Sequence, residues 1–259
     1  METLPEELQP VLALAEQAGR VVYDWFGKTH ATRKPDGTLA TEADLAAEEV
    51  ILEGLARLCP TDAVCSEESY SITRVGPGRL WSVDPLDGTH NYAAGLPVWS
   101  VSIGLIEGGR PVLGVVHSPP LDLTYAAAAG TGVWRNGERL QPPPADALQR
   151  NDLVGDTVDP EGLCLTVPHK RRNLGSAALH GCWVMSGVFR AALFSKWALW
   201  DLAAVLCMAA ELEVEARWMS GEVLCDLSAL DSAQRQEYLL LAPRGLCESL
   251  IPASARPSA

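Results

Sequence analysis

Residues 80–89 read LWSVDPLDGT, and this stretch decides how the chain is interpreted. Residues 80–83 are an apolar run of strand length that leads directly into Asp84. Pro85 has a fixed φ and no N–H, which stiffens the turn between Asp84 and Asp87. We therefore expect the strand to end at residue 83 and both carboxylates to gather at the edge of a sheet, where ligands bind.

The rest of this segment adds groups that a metal or phosphate site uses. The Leu86 carbonyl supplies a third hard oxygen beside the two carboxylates, and such a cluster suits Mg²⁺. Gly88 lets a ligand approach the backbone closely, and Thr89 supplies a hydroxyl that can orient a water molecule. A helical turn beginning here would offer N–H groups to a phosphate. Taken alone, the segment fits a surface turn better than a site, because Asp-Gly is a common turn pair.

Two other acidic motifs are excluded by the position of Pro85. A calcium-binding EF-hand loop needs ligands at alternate positions and a later glutamate, and Pro85 breaks that pattern. The phosphatases that form an aspartyl-phosphate use Asp-x-Asp-Gly-Thr, but the residue two before Asp87 is Pro85 and not an acid. The nucleophile is therefore expected to be a metal-activated water and not a side chain.

Composition and charge limit the class of protein. The chain has 259 residues, 47% of them hydrophobic, and a net charge of −13. Such an acidic surface repels a phosphate backbone, so we expect no nucleic-acid polymer as a partner. The seven cysteines include no C-x-x-C pair and fit reduced thiols in a cytoplasmic protein. We find no signal peptide and no membrane-spanning run, so we expect no membrane association.

Hydrophobic periodicity predicts a mixed α/β protein. Helices are expected at 5–26, 41–58, 175–188 and 199–213. Strands are expected at 62–66, 80–83, 98–106, 111–117, 125–129, 132–134, 217–226 and 238–242, with those from 98 to 134 forming an antiparallel meander. The run Gln-Pro-Pro-Pro at 141–144 marks a break in composition, which predicts an N-terminal α+β half at 1–141 and a C-terminal α/β half at 142–259.

Residues 81–92, WSVDPLDGTHNY, resemble the signature of the inositol monophosphatase family, which belongs with fructose-1,6-bisphosphatase among the lithium-sensitive, metal-dependent phosphatases. Four further stretches resemble motifs of the same family in the same order: KPDG through TEAD at 34–44, SEES at 66–69, RNLGSAA at 172–178 and WDLAA at 200–204. The resemblance implies a layered α/β sandwich in which the N-terminal half carries most ligands and the C-terminal half supplies Asp201.

The resemblance also implies two or three bound Mg²⁺ ions. Six positions match the family's ligands: Asp44, Glu67, Asp84, Leu86 (through its carbonyl), Asp87 and Asp201. Glu67, Asp84 and Leu86 would bind the first ion. Asp84, Asp87 and Asp201 would bind the second. Asp44 and Glu67 would help to hold a third, weaker ion.

The catalytic and substrate contacts follow from the same match. Glu67 and Thr89 would position the attacking water, and Asp44 would support Thr89. The backbone of Gly88 and Thr89 would hold the phosphate. The full set of expected substrate contacts is Leu86, Asp87, Gly88, Thr89, Gly175, Ser176, Ala177 and Asp201. Of these, Gly175, Ser176 and Ala177 would face the alcohol part of the substrate. Family members are commonly homodimers, so a homodimer is expected here.

The sequence leaves the substrate open within small phosphorylated polyols and nucleotides. Inositol-specific members carry a glutamate about seven residues before the Trp-Asp aspartate, but residues 194–196 are Phe-Ser-Lys here. Besides an inositol-monophosphatase-like activity, histidinol phosphate, fructose 1,6-bisphosphate, adenosine 3',5'-bisphosphate and NADP remain alternatives. An alternative of another class is a non-catalytic metal-binding regulatory protein. The basic run 170–172 is interpreted as solvated, with contact to a second phosphate as the alternative, and no histidine is assigned a role.

Overall fold

The computed structural model describes residues 3–28, 32–33, 39–69, 75–157, 165, 167–195, 197–228, 230 and 238–251. The predicted loop at 34–37 lies outside these ranges, as does residue 196 of the stretch that lacks the inositol-specific acid. No helix within the described ranges combines the length and apolar content needed to cross a membrane.

Six α-helices lie in these ranges: α1 (Gln9–Trp25), α2 (Glu42–Leu58), α3 (Thr89–Ala93), α4 (Ala177–Met185), α5 (Leu199–Glu211) and α6 (Arg244–Leu250). The four longest, α1, α2, α4 and α5, correspond to the four helices predicted from the sequence. Thr41 caps α2 by accepting the backbone N–H of Ala43, while Asp44 accepts the N–H of Thr41 in return. This reciprocal box satisfies orphan donors of the first turn and defines where α2 begins.

The strands form two main sheets and one short ribbon. The ribbon pairs β1 (Thr32–Arg33) with β2 (Leu39–Ala40). The first sheet has seven strands in chain order: β3 (Ala63–Ser66), β4 (Arg79–Asp87), β5 (Ser100–Glu107), β6 (Arg110–Ser118), β7 (Leu123–Ala128), β8 (Gly132–Arg135) and β9 (Glu138–Arg139). β3 and β4 are parallel, and every later neighbouring pair is antiparallel.

The second sheet comes from the C-terminal half, in the order β11-β10-β12-β14-β13. Its strands are β10 (Leu153–Asp156), β11 (Lys170–Arg172), β12 (Ala191–Phe194), β13 (Val214–Trp218) and β14 (Leu239–Pro243). The single strand predicted at 217–226 is wrong. β13 ends at Trp218, and the chain turns back through Gly221, whose φ of +97° suits glycine, so that Val223 bridges Arg217.

The elements stack in five layers, which confirms the predicted α/β sandwich. α1 and α2 cover one face of the first sheet, α4 and α5 lie between the two sheets, and α6 covers the outer face of the second sheet. Three apolar cores fill the spaces between these layers. The functional motifs therefore meet where α4 and α5 face the first sheet.

A β-bulge in β4 corrects the prediction that the strand ends at residue 83. β4 continues to Asp87, with Asp84 opposite Ser102 and Asp87 opposite Ser100. The chain advances three positions from Asp84 to Asp87 but only two from Ser100 to Ser102 on β5, so β4 carries one extra residue. Pro85 lies in this bulge, where its missing N–H costs no ladder bond. Because side chains alternate along a strand, a regular strand would point Asp84 and Asp87 to opposite faces, whereas the bulge lets both face α5.

Two glycines let α5 lie directly on the first sheet. Gly104 and Gly114 are paired across β5 and β6. A Cβ added at Gly114 would lie 2.3 Å from the backbone oxygen of Ala204, and one added at Gly104 would lie 2.7 Å from the backbone nitrogen of Ala204. This close approach sets the height of α5 above β4 and hence the position of Asp201 in its first turn.

We expect Gly114→Ala to destabilise the fold by about 1–3 kcal/mol, because the new methyl group overlaps helix backbone that cannot rotate away. Gly78→Ala is the matched control, since a Cβ at Gly78 meets nothing within 4 Å. Thermal and denaturant unfolding of both variants measure the difference. Equal stabilities would contradict the close approach of α5.

Candidate active site

A small acidic cavity of about 150 Å³ opens where β4, α3, α4 and α5 converge. Its walls come from Leu39, Glu67, Asp84, Leu86, Asp87, Gly88, Thr89, His90, Gly175 and Asp201. We call it the acidic cavity. Segments that are far apart in the chain supply its walls.

Three carboxylates meet in this cavity. One oxygen from each of Asp84, Asp87 and Asp201 lies within 4.8 Å of the others. Asp84 and Asp87 are buried on β4, and Asp201 is half-buried in the first turn of α5. Asp201 also accepts the N–H of Ala198 at 2.6 Å, which caps the helix and fixes the side chain in the position expected for a carboxylate at a helix start.

Burial raises the pKa of all three carboxylates, and the charges of neighbouring acids add to the rise for Asp84 and Asp201. Burial, and then the charges of Glu67, Asp87 and Asp201, hold the pKa of Asp84 well above its usual range. Burial and the charge of Asp87 do the same to the pKa of Asp201. Like charges brought together away from water are unfavourable unless a cation neutralises them.

Asp87 is the most strongly hydrogen-bonded of the three. Its Oδ2 accepts the N–H of Ala178 at 3.0 Å and the hydroxyl of Ser176, and it lies 3.4 Å from the hydroxyl of Ser100. Its Oδ1 accepts the N–H of Ala177 at 3.0 Å. These bonds lower the pKa of Asp87 and offset part of the rise that burial causes. The first turn of α4 is thus attached to a carboxylate of β4.

Thr89 lies between Asp44 and the bulge. Its hydroxyl donates to the Leu86 carbonyl at 2.9 Å and lies 3.4 Å from Oδ1 of Asp44. The other Asp44 oxygen accepts the hydroxyl of Thr41 at 2.5 Å and its N–H at 2.8 Å. Asp44 is fully buried behind the cavity wall, so the capping box of α2 holds the hydroxyl of Thr89 in place.

Glu67 and Gly88 complete the wall. Glu67 directly follows β3 and donates its N–H to the Val83 carbonyl at 3.1 Å. Its carboxylate lines the cavity but lies outside the 4.8 Å cluster of three. Gly88 has a φ of +95°, and a Cβ there would lie 2.8 Å from the Val98 carbonyl, so only glycine fits between β4 and α3.

The profile of the inositol monophosphatase family matches residues 5–250. The chain belongs to the inositol monophosphatase family. A fructose-1,6-bisphosphatase/inositol-1-monophosphatase of Thermotoga maritima is 35% identical over 211 residues, which are 77% of this chain and 80% of that protein. A 3'(2'),5'-bisphosphate nucleotidase CysQ of Salmonella typhimurium is 36% identical over 248 residues, 90% of this chain and 96% of that protein.

The fold comparison agrees with the sequence comparison. A solved Thermotoga maritima IMPase superimposes with a TM-score of 0.81 at 25% identity, covering 95% of this chain and 96% of that one. Proteins of the inositol monophosphatase family are phosphatases, and this chain is an enzyme of that class.

The cavity residues fit the metal dependence of the inositol monophosphatase family. The clustered donors are the carboxylate oxygens of Asp84, Asp87 and Asp201, with no sulfur or imidazole among them. Hard oxygen donors of this kind suit Mg²⁺, Ca²⁺ or Mn²⁺. The raised carboxylate pKa values are consistent with a cation site, because a divalent cation would offset both the burial of these charges and the repulsion at Asp84 and Asp201.

A second cavity of about 230 Å³ adjoins the first and shares Asp87, Gly175 and Asp201 with it. The other lining residues are all neutral: Thr157, Asn173, Ala177, Ser195 and Trp197. Of the predicted alcohol contacts, Gly175 and Ala177 line this adjoining cavity, whereas Ser176 is buried and donates to Asp87.

The basic run at 170–172 forms edge strand β11 near the adjoining cavity. Arg171 is paired with the buried Asp156 at 2.5 Å. Lys170 and Arg172 are exposed. The run is therefore partly structural, and only its two outer residues are solvated.

Ser100 and Asn91 make contacts at the site that the sequence did not predict. Ser100 reaches Asp87 because the bulge places it opposite that residue. Asn91 donates to the carbonyls of Val98 and Leu174 and so links α3 to the turn before α4. Asn91 belongs to the family-like stretch at 81–92, so the resemblance could have pointed to it. The Ser100 contact depends on strand register, which the sequence alone does not reveal.

Proposed function

We propose that this protein hydrolyses a small phosphomonoester with Mg²⁺ at the acidic cavity, in the manner of an inositol monophosphatase. One observation carries the proposal: Asp84, Asp87 and Asp201 converge within 4.8 Å beside the buried hydroxyl of Thr89. This arrangement combines a site for divalent cations with a group that can orient water.

Two Mg²⁺ ions would be held by the carboxylates and the Leu86 carbonyl, with Asp84 shared between them. Glu67 would complete the first site, and Asp87 and Asp201 the second. Asp44 and Glu67 would help to hold a third, weaker ion. When bound, the ions supply a lowered water pKa and neutralise charge on the phosphate.

Thr89 would hold a proton of the attacking water. Its own hydroxyl proton is directed to the Leu86 carbonyl or to Asp44, so its lone pairs are available as acceptors. Glu67 would accept from the same water on the other side of the cavity. Asp44 would support Thr89 through Oδ1, because its Oδ2 is bonded within the α2 cap.

The phosphate would bind the backbone N–H groups of Gly88 and Thr89, at the start of α3. The alcohol would then extend into the adjoining cavity, beside Gly175 and Ala177. Ser176 would act on the substrate through Asp87, to which it donates.

A nucleoside bisphosphate is the second candidate substrate. The adjoining cavity adds no carboxylate beyond Asp87 and Asp201, so its described walls lack an acidic partner for polyol hydroxyls. The similarity to the bisphosphate nucleotidase also extends over nine-tenths of the chain.

The test is phosphate release by the purified protein. The panel contains inositol 1-phosphate, histidinol phosphate, fructose 1,6-bisphosphate, adenosine 3',5'-bisphosphate and NADP. Each substrate is assayed with Mg²⁺, with EDTA, and with Mg²⁺ plus Li⁺. We expect Mg²⁺-dependent, Li⁺-inhibited release from at least one of them. Mg²⁺ binding without release from any of the five would contradict this range of substrates.

We expect Thr89→Val to lower kcat about 100-fold or more, because valine keeps the shape but removes the acceptor for the water proton. Thr89→Ser is the matched control and should stay within a few-fold of wild type. Steady-state kinetics on the best substrate of the panel measures both. A fully active valine variant would refute the role of the hydroxyl.

Three wider proposals accompany this function. The described cysteines are free thiols, which supports a cytoplasmic location. The boundary near residue 141 separates the two sheets, which supports halves at 1–141 and 142–259. A homodimer is proposed from the family resemblance, and light scattering of the purified protein tests it.

A further inference from the structure

His180 is a fully buried polar residue that the proposed chemistry does not use. It lies in the first turns of α4, with its ring against Phe189 and Trp183. Gly155 leaves room for the ring, since a Cβ there would lie 3.3 Å from Cγ of His180. The position is costly for a polar side chain, so its hydrogen bonds need an explanation.

One ring nitrogen of His180 has a specific partner outside the helix. Nε2 accepts the backbone N–H of Leu174 at 3.1 Å. The proton is therefore on Nδ1, which has no acceptor in the described part of the chain. Burial lowers the pKa of His180 to about 4, so the ring stays neutral and Nε2 keeps its lone pair near neutral pH.

Leu174 is held on both sides. Nε2 of His180 accepts the Leu174 N–H. The side-chain amide of Asn91 donates to the Leu174 carbonyl at 2.6 Å and to the Val98 carbonyl at 2.7 Å. The next residue, Gly175, has a φ of +75° and lies against Asn91, since a Cβ there would be 2.6 Å from the Asn91 side chain. The turn before α4 is thus fixed between α3 and the body of α4.

This turn leads directly into the groups that hold Asp87. Ser176, Ala177 and Ala178 donate to the two Asp87 oxygens. A shift of the Leu174 peptide would move these donors and rotate the carboxylate. Partners that orient a metal ligand commonly change metal affinity 10–100-fold when removed.

We propose that His180 is a positioning residue of the active site: its Nε2 holds the Leu174 peptide, and through the turn at 174–178 it orients Asp87 and the Gly175 wall of the adjoining cavity. The metal-related part rests on the proposed function. The positioning of the Leu174 peptide stands on the hydrogen bond alone.

Two amide variants test the assignment. In His180→Gln the side-chain carbonyl reaches the level of Nε2 and can accept the Leu174 N–H. In His180→Asn the carbonyl stops at the level of Nδ1 and cannot. Both are neutral polar residues at the same buried place, so both lose the ring packing and differ in this acceptor.

The readouts are hydrogen exchange of the Leu174 amide by NMR, Mg²⁺ affinity from thermal shift, and kcat and KM. We expect His180→Asn to exchange the Leu174 amide about 10-fold faster or more and to bind Mg²⁺ about 10-fold more weakly. His180→Gln should stay within about 3-fold of wild type in both. Met185→Leu, a buried change in the same helix, controls for packing loss.

The assignment is overturned if His180→Asn matches wild type in amide exchange, or if the two amide variants lose protection equally. If wild type neither binds Mg²⁺ nor releases phosphate, the proposed function fails, while Leu174 exchange still decides the role of His180. If exchange changes in His180→Asn but Mg²⁺ affinity does not, the link to Asp87 is refuted.

Discussion

Replacing Asp84 with asparagine is expected to lower Mg²⁺-dependent phosphate release on the order of 1,000-fold or more while raising the melting temperature of the metal-free protein. The loss of activity follows because Asp84 is the carboxylate shared between the two proposed metal sites. Stabilisation of transition-state charge by bound metal is worth several kcal/mol, which corresponds to about this factor.

The gain in stability has a separate physical cause. Asp84 is buried next to Glu67, Asp87 and Asp201, and its pKa is raised well above the ordinary value. A carboxyl whose pKa is higher in the folded than in the unfolded state destabilises the fold as pH rises above its unfolded pKa. Asparagine removes the charge, and its oxygen can still accept the Leu86 N–H that Asp84 accepts at 2.9 Å.

The stabilising effect of Asp84→Asn should depend on pH. The extra stability of Asp84→Asn should be absent below the ordinary aspartate pKa of 3.8, where the carboxyl is protonated in both states, and should grow as pH rises. Calorimetry of metal-free protein at several pH values measures it. Asp226→Asn is the control, because that exposed carboxylate has a lowered pKa and accepts the Ser228 N–H. A variant less stable than wild type at neutral pH would contradict the proposed repulsion.

Replacing Asp87 with asparagine should also abolish turnover, but it should leave the metal-free fold less stable than Asp84→Asn does. Asp87 accepts backbone N–H groups on both oxygens, from Ala177 on one and from Ala178 on the other. An asparagine amide has one oxygen, so its NH₂ must face one of these donors whichever way it is flipped. A buried donor left without an acceptor costs about 1–3 kcal/mol.

The pair of variants separates charge from hydrogen bonding. Both remove one negative charge from the same cavity, so a difference between them reports the bonds from α4. We expect the metal-free melting temperature of Asp84→Asn to lie above wild type and that of Asp87→Asn to lie below that of Asp84→Asn, because the lost hydrogen bonds offset the gain from removing the charge. A shift of about 2–4 °C for each kcal/mol is expected in a chain of this size. If Asp87→Asn equals or exceeds Asp84→Asn in stability, then α4 is not held by Asp87 as described.

Much of the fold was predictable because local signals were strong. α1 and α2 follow apolar periodicity, and the Thr41 cap marks the start of α2 in the sequence itself. The short strands β10, β11 and β12 were missed, because they have three or four residues each and too little pattern to separate them from loops. The prediction of one strand at 217–226 was wrong because the sequence does not show that the chain reverses at Gly221.

Some residues of the site were predictable from the sequence and others were not. The order of acidic motifs was enough to indicate the phosphatase family and to select its carboxylates. By contrast, Ser100 and His180 gave no signal, because each acts on a residue brought near by register or by a helix turn.

The amino-acid sequence by itself determined the chemistry of this protein: oxygen donors, a threonine hydroxyl and glycine-bearing turns, in the order that the inositol monophosphatase family uses. Only the tertiary structure decided how the segment at 80–89 presents them. Asp84 and Asp87 share one face because β4 bulges at Pro85, and Asp201 meets them because Gly104 and Gly114 let α5 approach the sheet. The reason is physical: donor identity belongs to each residue, whereas a shared face and a 4.8 Å cluster arise from strand register and close packing between distant segments.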